Sequence, residues 1–149
     1  MKRLMIKIEG WYRRLRALWH YWRGATYRHW ANRTGDTSGY QAAALEFDQA
    51  LDLDPAMAQA YLDRGILYWR ELDHPRRAIM DLTRALDLRP DLHEARFNRG
   101  LAYQQLREYD RALEEFRAYV EVGEHPHWCE YARTMIEELH EWVEEEEHA

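Results

Sequence analysis

The stretch AYLDRGILYWRELDHPRRAIMDLTRALDLRP (Ala60–Pro90) decides the fold, because it returns as ARFNRGLAYQQLREYDRALEEFRAYVEVGE (Ala95–Glu124). Arg64-Gly65 falls on Arg99-Gly100, Tyr68 on Tyr103, Ala78 on Ala112, and Leu82 on Phe116. The two glycines are 35 residues apart and the two alanines 34, so the first copy carries one extra residue in its turn near His74-Pro75. Upstream, YQAAALEFDQALDLDP (Tyr40–Pro55) repeats the second half. There Ala43, Phe47, Ala50 and Pro55 each precede Ala78, Leu82, Ala85 and Pro90 by 35 residues. A period of this length marks stacked supersecondary units. Each unit predicts two helices, the second ended by Pro55 or Pro90, since proline cannot continue a helix interior. Gly65 and Gly100, with Ala43, Ala78 and Ala112, leave room for paired helices to cross closely, which offsets the roughly 1 kcal/mol that glycine costs inside a helix.

These residues resemble the tetratricopeptide repeat family, whose pattern has small packing residues and a Tyr in the first helix, then Ala, an aromatic, Ala and Pro in the second. The resemblance implies an all-α solenoid of helical hairpins, with about three units over residues 24–124. Two departures stand out: Tyr119 replaces the small second alanine of the third unit, and Glu124 its proline, with Pro126 following. The leading helix of the first unit, ATYRHWANRTGDTS, is expected to be short and frayed at its outer turn.

Composition agrees with helix: seven Gly and four Pro stand against many Ala, Leu, Glu and Arg. The single Cys129 excludes an internal disulfide and fits a reducing, cytoplasmic setting. No run of 18 apolar residues occurs, so a membrane-spanning helix is not expected. The net charge of -6 is unevenly spread. Residues 1–33 carry nine Lys/Arg against Glu9, a balance of +8, and the remainder carries -14. That distribution suggests a basic interaction arm on an acidic body.

The arm, residues 1–23, sorts into two faces on a helical wheel. Leu4, Met5, Ile8, Trp11, Tyr12, Leu15, Leu18, Trp19 and Trp22 fall within an arc of about 140°. The basic residues, Arg13, Arg14 and Arg16 among them, take most of the remaining circumference, with Ile6 the main exception. Such a helix has the composition of one lying in a membrane interface, with Trp at headgroup depth. Trp11, Arg13, Arg14, Arg16, Trp19 and Trp22 are therefore candidates for docking to an anionic membrane surface or to a partner. The competing expectation is that the stripe packs on the first repeat, or fills the protein's own groove. A secretory signal is excluded because Lys7, Glu9 and the arginines interrupt any apolar region. Nucleic acid is disfavoured by the acidic body and by aromatics lying away from most cations.

At the other end, residues 125–149 predict a capping helix with Trp128, Tyr131, Ala132, Met135, Ile136, Leu139, Trp142 and Val143 on one face and Glu137, Glu138 and Glu141 on the other. The acidic run Glu144–Glu147 opposes the helix dipole and is expected to fray.

Catalytic motifs are absent: there is no phosphate loop and no HExxH helix, and Cys129 lacks a thiol partner. His125 and His127 are expected on a surface turn rather than on a metal. No cofactor or metal is expected, and the protein is read as non-enzymatic.

In the resembling family the first helix of each unit lines a concave groove. Transferred by register, Gln59, Leu62, Asp63, Ile66, Trp69 and Arg70 line it from one unit. Glu94, Phe97, Asn98, Leu101, Gln104 and Gln105 do so from the next. The family's best-known ligands are acidic chaperone tails held by a Lys, Arg and Asn clamp. Only Asn98 fits that clamp, and Glu94 would repel a carboxylate. The apolar residues Leu62, Ile66, Trp69, Phe97 and Leu101 imply instead an apolar helix or extended peptide segment as occupant. The expected function is a protein-interaction scaffold or adaptor, peripheral to a membrane or part of a membrane-protein assembly. The alternative is a permanent structural subunit whose N-terminal helix packs on protein.

Overall fold

The structure, a computed structural model, describes the backbone of residues 2–123 and 125–148, and side chains for 5, 8–123 and 125–143. The expectations for the Leu4 and Ile6 side chains, for Glu124 and for the fraying of Glu144–Glu147 lie outside the described residues. Among the described residues seven helices follow in chain order: α1 (Lys2–Thr34), α2 (Thr37–Leu53), α3 (Ala58–Arg70), α4 (Pro75–Leu88), α5 (His93–Gln105), α6 (Tyr109–Val122) and α7 (Pro126–His148). Among the described residues there is no strand. Three antiparallel hairpins, α1–α2, α3–α4 and α5–α6, stack in sequence, and α7 lies against α6.

Local chemistry sets the boundaries. Gly35, in the left-handed region at φ 72°, closes α1 through its N–H to the Ala31 carbonyl at 2.8 Å. The Asp36 side chain then caps α2 by accepting from the Ser38 N–H at 2.9 Å. Pro75 opens α4, where its missing N–H has no intrahelical partner to lose. Pro55 and Pro90 follow the C-caps Asp54 and Arg89.

Each hairpin is held by the same four-residue device. Arg23-Gly24, Arg64-Gly65 and Arg99-Gly100 sit on the leading helices; Glu46-Phe47, Asp81-Leu82 and Glu115-Phe116 sit on the returning ones. The glycine receives the large side chain. A Cβ would lie 2.9 Å from Phe47 at Gly24, 2.8 Å from Leu82 at Gly65 and 2.8 Å from Phe116 at Gly100. One residue earlier, the arginine grips the buried acid. Arg23 bonds Glu46, Arg64 meets Asp81 through both Nε and Nη2 at 2.7 Å, and Arg99 reaches Glu115 at 2.5 Å. Two of these arginines also reach the preceding hairpin, Arg64 to Asp48 at 2.5 Å and Arg99 to Thr83 at 3.0 Å.

The device corrects the reading of the first unit. Gly24 precedes Phe47 by 23 residues, where Gly65 precedes Leu82 by 17, so the first hairpin runs on for longer beyond its crossing point. Its leading helix is therefore neither short nor frayed: residues 25–34 continue the arm without a break, and the expected boundary at residue 23 falls inside α1.

Apolar burial follows the hairpins. One cluster joins Ala31, Tyr40, Ala43 and Phe47 to Leu62, Leu67, Leu82 and Leu86 and ends at Ala95 and Ala102 of α5. A second joins Phe97, Leu113, Phe116 and Tyr119 to Cys129, Ala132, Met135 and Leu139 of α7. Tyr119 is buried with its ring 5.2 Å from Phe97, filling the space beside α7.

The N-terminal helix meets α2 through Ala17, Gly24 and Ala31, all buried at a seven-residue spacing. Ala17 is the first buried position among the described side chains, so residues 2–16 project by roughly 22 Å at the helical rise of 1.5 Å per residue. Trp11, Leu15, Leu18 and Trp22 lie about half a turn around the helix from that contact face. They are exposed, Trp11 at 64% and Trp22 at 66%. The Trp stripe thus neither packs on the first repeat nor fills the protein's own groove.

Glycine substitutions separate crossing sites from spacers. Gly100→Ala is expected to lower stability by about 1–3 kcal/mol through overpacking against Phe116. Gly10→Ala, with nothing within 4 Å of its Cβ, is expected not to lower it. Urea unfolding of both variants checks this.

Candidate functional site: a concave groove

The leading helices α1, α3 and α5, joined by α7, enclose a cavity of about 1100 Å³. The α1 wall is Ala25, Arg28, His29 and Asn32; the α3 wall includes Asp63, Ile66, Trp69 and Arg70. Glu94, Phe97, Asn98 and Leu101 line it from α5, and Trp128 and Tyr131 from α7, with Tyr119 behind them and His125 and His127 at the α7 entrance. Counting from the crossing glycines explains the first two walls. Positions one, four and five after Gly24 are Ala25, Arg28 and His29, matching Ile66, Trp69 and Arg70 after Gly65.

Of the residues expected to line the groove, Ile66, Trp69, Arg70, Phe97, Asn98 and Leu101 do so, as do Asp63 and Glu94. Leu62 does not. It is 1% exposed and belongs to the core between hairpins, because it lies one helical position away from the groove face. Gln105 is exposed and donates to Asp73 at 2.8 Å, outside the cavity; Gln59 and Gln104 do not line it either. His125 and His127, expected only as turn residues, face the groove from its rim. Missed altogether were Arg28, His29, Asn32, Trp128 and Tyr131. The third Arg-Gly dipeptide, Arg23-Gly24, was the signal that would have found the α1 wall.

The two sides of the groove differ in chemistry. On the α1–α3 side, Asp63 accepts from Tyr21 at 2.7 Å and from Arg28 at 2.8 Å. Burial, reinforced by the Asp63 hydrogen bond and charge, pushes the Tyr21 hydroxyl far above its ordinary range. On the α5–α7 side the walls are aromatic, with Phe97 5.6 Å from Trp128 and 5.9 Å from Tyr131 between ring centres. Trp69 spans the two, its indole N–H donating to Asn98 at 3.3 Å, while Asn98 donates to the Glu94 carbonyl at 2.8 Å. The Glu94 carboxyl opens into the groove. Desolvation by the surrounding walls pushes its pKa upward and the Asp63 charge adds to the effect, while Arg28 and His125 oppose it.

No group of three or more His, Cys, Asp or Glu is placed to hold a metal ion among the described residues. What the groove offers is shape, aromatic surface and fixed hydrogen-bonding groups. Residues 72–137, from the turn before α4 through the first half of α7, match the family model described as tetratricopeptide repeat. The fold is that of a tetratricopeptide repeat solenoid. Solved tetratricopeptide repeat domains share this architecture over most of the chain. The first such domain of Spaghetti (RPAP3), bound to the HSP90 peptide SRMEEVD, superposes with a TM-score of 0.74 at 19% identity, over 87% of this chain and 94% of that one. The domain of Arabidopsis OM64 gives 0.73 at 21% identity, over 87% and 98%. The TPR2B domain of yeast Sti1, in complex with pHsp70, gives 0.71 at 18% identity, over 83% and 98%. At these identities the likeness establishes the fold alone. No curated protein matches the chain in sequence.

The groove positions of this repeat protein differ sharply in tolerance. Leu62→Glu is expected to abolish cooperative folding, since it buries a charge at a core site without a partner. Ile66→Glu, half-buried and facing the cavity, is expected to retain the helical circular dichroism spectrum.

Proposed function

We propose that this repeat protein is a non-enzymatic adaptor that holds a segment of a partner protein in the concave groove. The observation that carries the proposal is the cavity itself, built by four helices and floored by Trp69, Phe97, Leu101, Trp128 and Tyr131. A pocket of that size with aromatic walls and a few fixed polar groups suits an extended peptide or one face of a helix. The tetratricopeptide repeat neighbours named above with chaperone peptides support a peptide as the class of occupant.

The N-terminal helix supports a second contact. Its Trp stripe lies on the open end of the stack, with Arg13, Arg14 and Arg16 exposed around it. Arg23 is already committed, ion-paired to Glu46 and stacked 4.1 Å above the Trp19 ring. Exposed Trp beside free cations favours an anionic membrane surface, where each cation contributes about 1 kcal/mol. No helix among the described residues is long and apolar enough to cross a membrane, and the proposed attachment is peripheral.

Photo-crosslinking in cells tests the adaptor reading. A benzoylphenylalanine replacing Trp69 is expected to give discrete protein adducts, whereas one replacing Met80, 72% exposed outside the groove, is not. Equal adducts from both positions would remove the groove from the proposal. Liposome flotation tests the second contact: the full chain should float with anionic vesicles, and Trp11→Ser with Trp22→Ser should not. Failure of the full chain to float would leave the stripe to a protein surface, as in a permanent structural subunit.

A further inference from the structure

We infer that the occupant of the groove carries a cationic side chain, lysine or arginine, set among apolar residues, and that Glu94 is its counter-charge. The inference rests on the groove being the partner site and names the chemistry of that partner.

Seven Arg, Asp and Glu side chains line the cavity. Six of them are accounted for as pairs: Arg28 with Asp63 at 2.8 Å, Arg70 with Glu71 at 3.2 Å, and Arg89 with Asp91 at 3.8 Å. The carboxylate of the seventh, Glu94, has no hydrogen-bond or ion-pair partner among the described residues. The residue stands one helical turn before Phe97 and Asn98, on the same face of α5. Glu94 lines the same cavity as Phe97, whose ring is flanked by Trp128 and Tyr131. A cation meets a favourable field there twice, from the carboxylate and from the electron-rich ring faces.

Covering the groove decides between occupants. A wholly apolar segment would remove water from Glu94 and supply nothing in return, and burying a charge without a partner is costly. An acidic segment would add repulsion from Glu94 and Asp63, and the cations of the groove are already engaged. A segment with one lysine or arginine between apolar anchors satisfies the carboxylate and uses the aromatic floor. This differs from the purely apolar occupant that the register of the sequence implies, because the sequence does not show which charges pair with one another.

Peptide display tests the inference. A library of random peptides of about ten residues, long enough to cross such a groove, is selected on the wild-type protein and on Glu94→Gln at pH 8, where histidine is ordinarily neutral. The wild-type pool should be enriched in Lys and Arg flanked by apolar residues, and the enrichment should vanish with Glu94→Gln. Replacing the basic residue of the strongest peptide by Glu should weaken binding at least about tenfold, the equivalent of 1.4 kcal/mol. A pool without basic enrichment, or enrichment unchanged in Glu94→Gln, overturns the counter-charge while leaving the groove as a peptide site. A library that yields no binder overturns the groove reading itself.

Discussion

The arginine on each leading helix is the interaction on which the stack depends. Arg64 makes two parallel bonds to Asp81 in its own hairpin and a third to Asp48 in the hairpin before it. Arg99 repeats the arrangement with Glu115 and Thr83, and Arg23 begins it with Glu46. The acids are buried, and burial drives the Asp81 carboxyl upward, with the Asp48 charge adding to it and the Arg64 bonds opposing it only in part. An acid so placed is tolerable only with its arginine present. The neighbouring glycine then fixes how closely the helices cross, because Phe47, Leu82 or Phe116 occupies the space of its missing Cβ. Charge sets the pairing and packing sets the distance.

From that frame the two ends of the solenoid differ. The C-terminal end is finished: α7 buries Cys129, Ala132, Met135 and Leu139 and turns Glu130, Glu137 and Glu141 to solvent. The N-terminal end is not finished in the same way, because the face of α1 opposite its α2 contact is apolar and exposed. A repeat array needs a polar outer surface at each end. The exposed tryptophans form the surface that the proposed second contact would cover, while the groove between the leading helices is a separate surface with its own charge balance.

Much of the fold was legible in the sequence because the 35-residue period is carried by residues with a steric role, glycine against a large side chain. The first hairpin was misread because its glycine falls outside that period. Arg23-Gly24 is followed by a longer helix, and spacing alone hides it, whereas the Arg-Gly dipeptides and the acids followed by a large apolar residue reveal it. The groove was legible in part for a different reason. Register distinguishes one helix face from another only to within a residue, which is how Leu62 was assigned to the cavity although it belongs to the core. Contributions from α7 were invisible because Trp128 and Tyr131 share the apolar stripe of a capping helix, and only packing shows that they turn toward Phe97. The lone position of Glu94 could not be read at all, since it depends on Arg28, Arg70 and Arg89 being taken by others.

A double-mutant cycle on the central hairpin tests the role of the arginine most directly. Arg64→Met and Asp81→Leu are made singly and together, and stability is measured by urea unfolding. Arg64→Met leaves a buried carboxylate unpaired and is expected to cost about 3–5 kcal/mol, whereas the double substitution, which removes both charges, is expected to recover most of that loss. A double variant as unstable as the sum of the two single ones would contradict the account, and the stack would then be held by apolar packing alone.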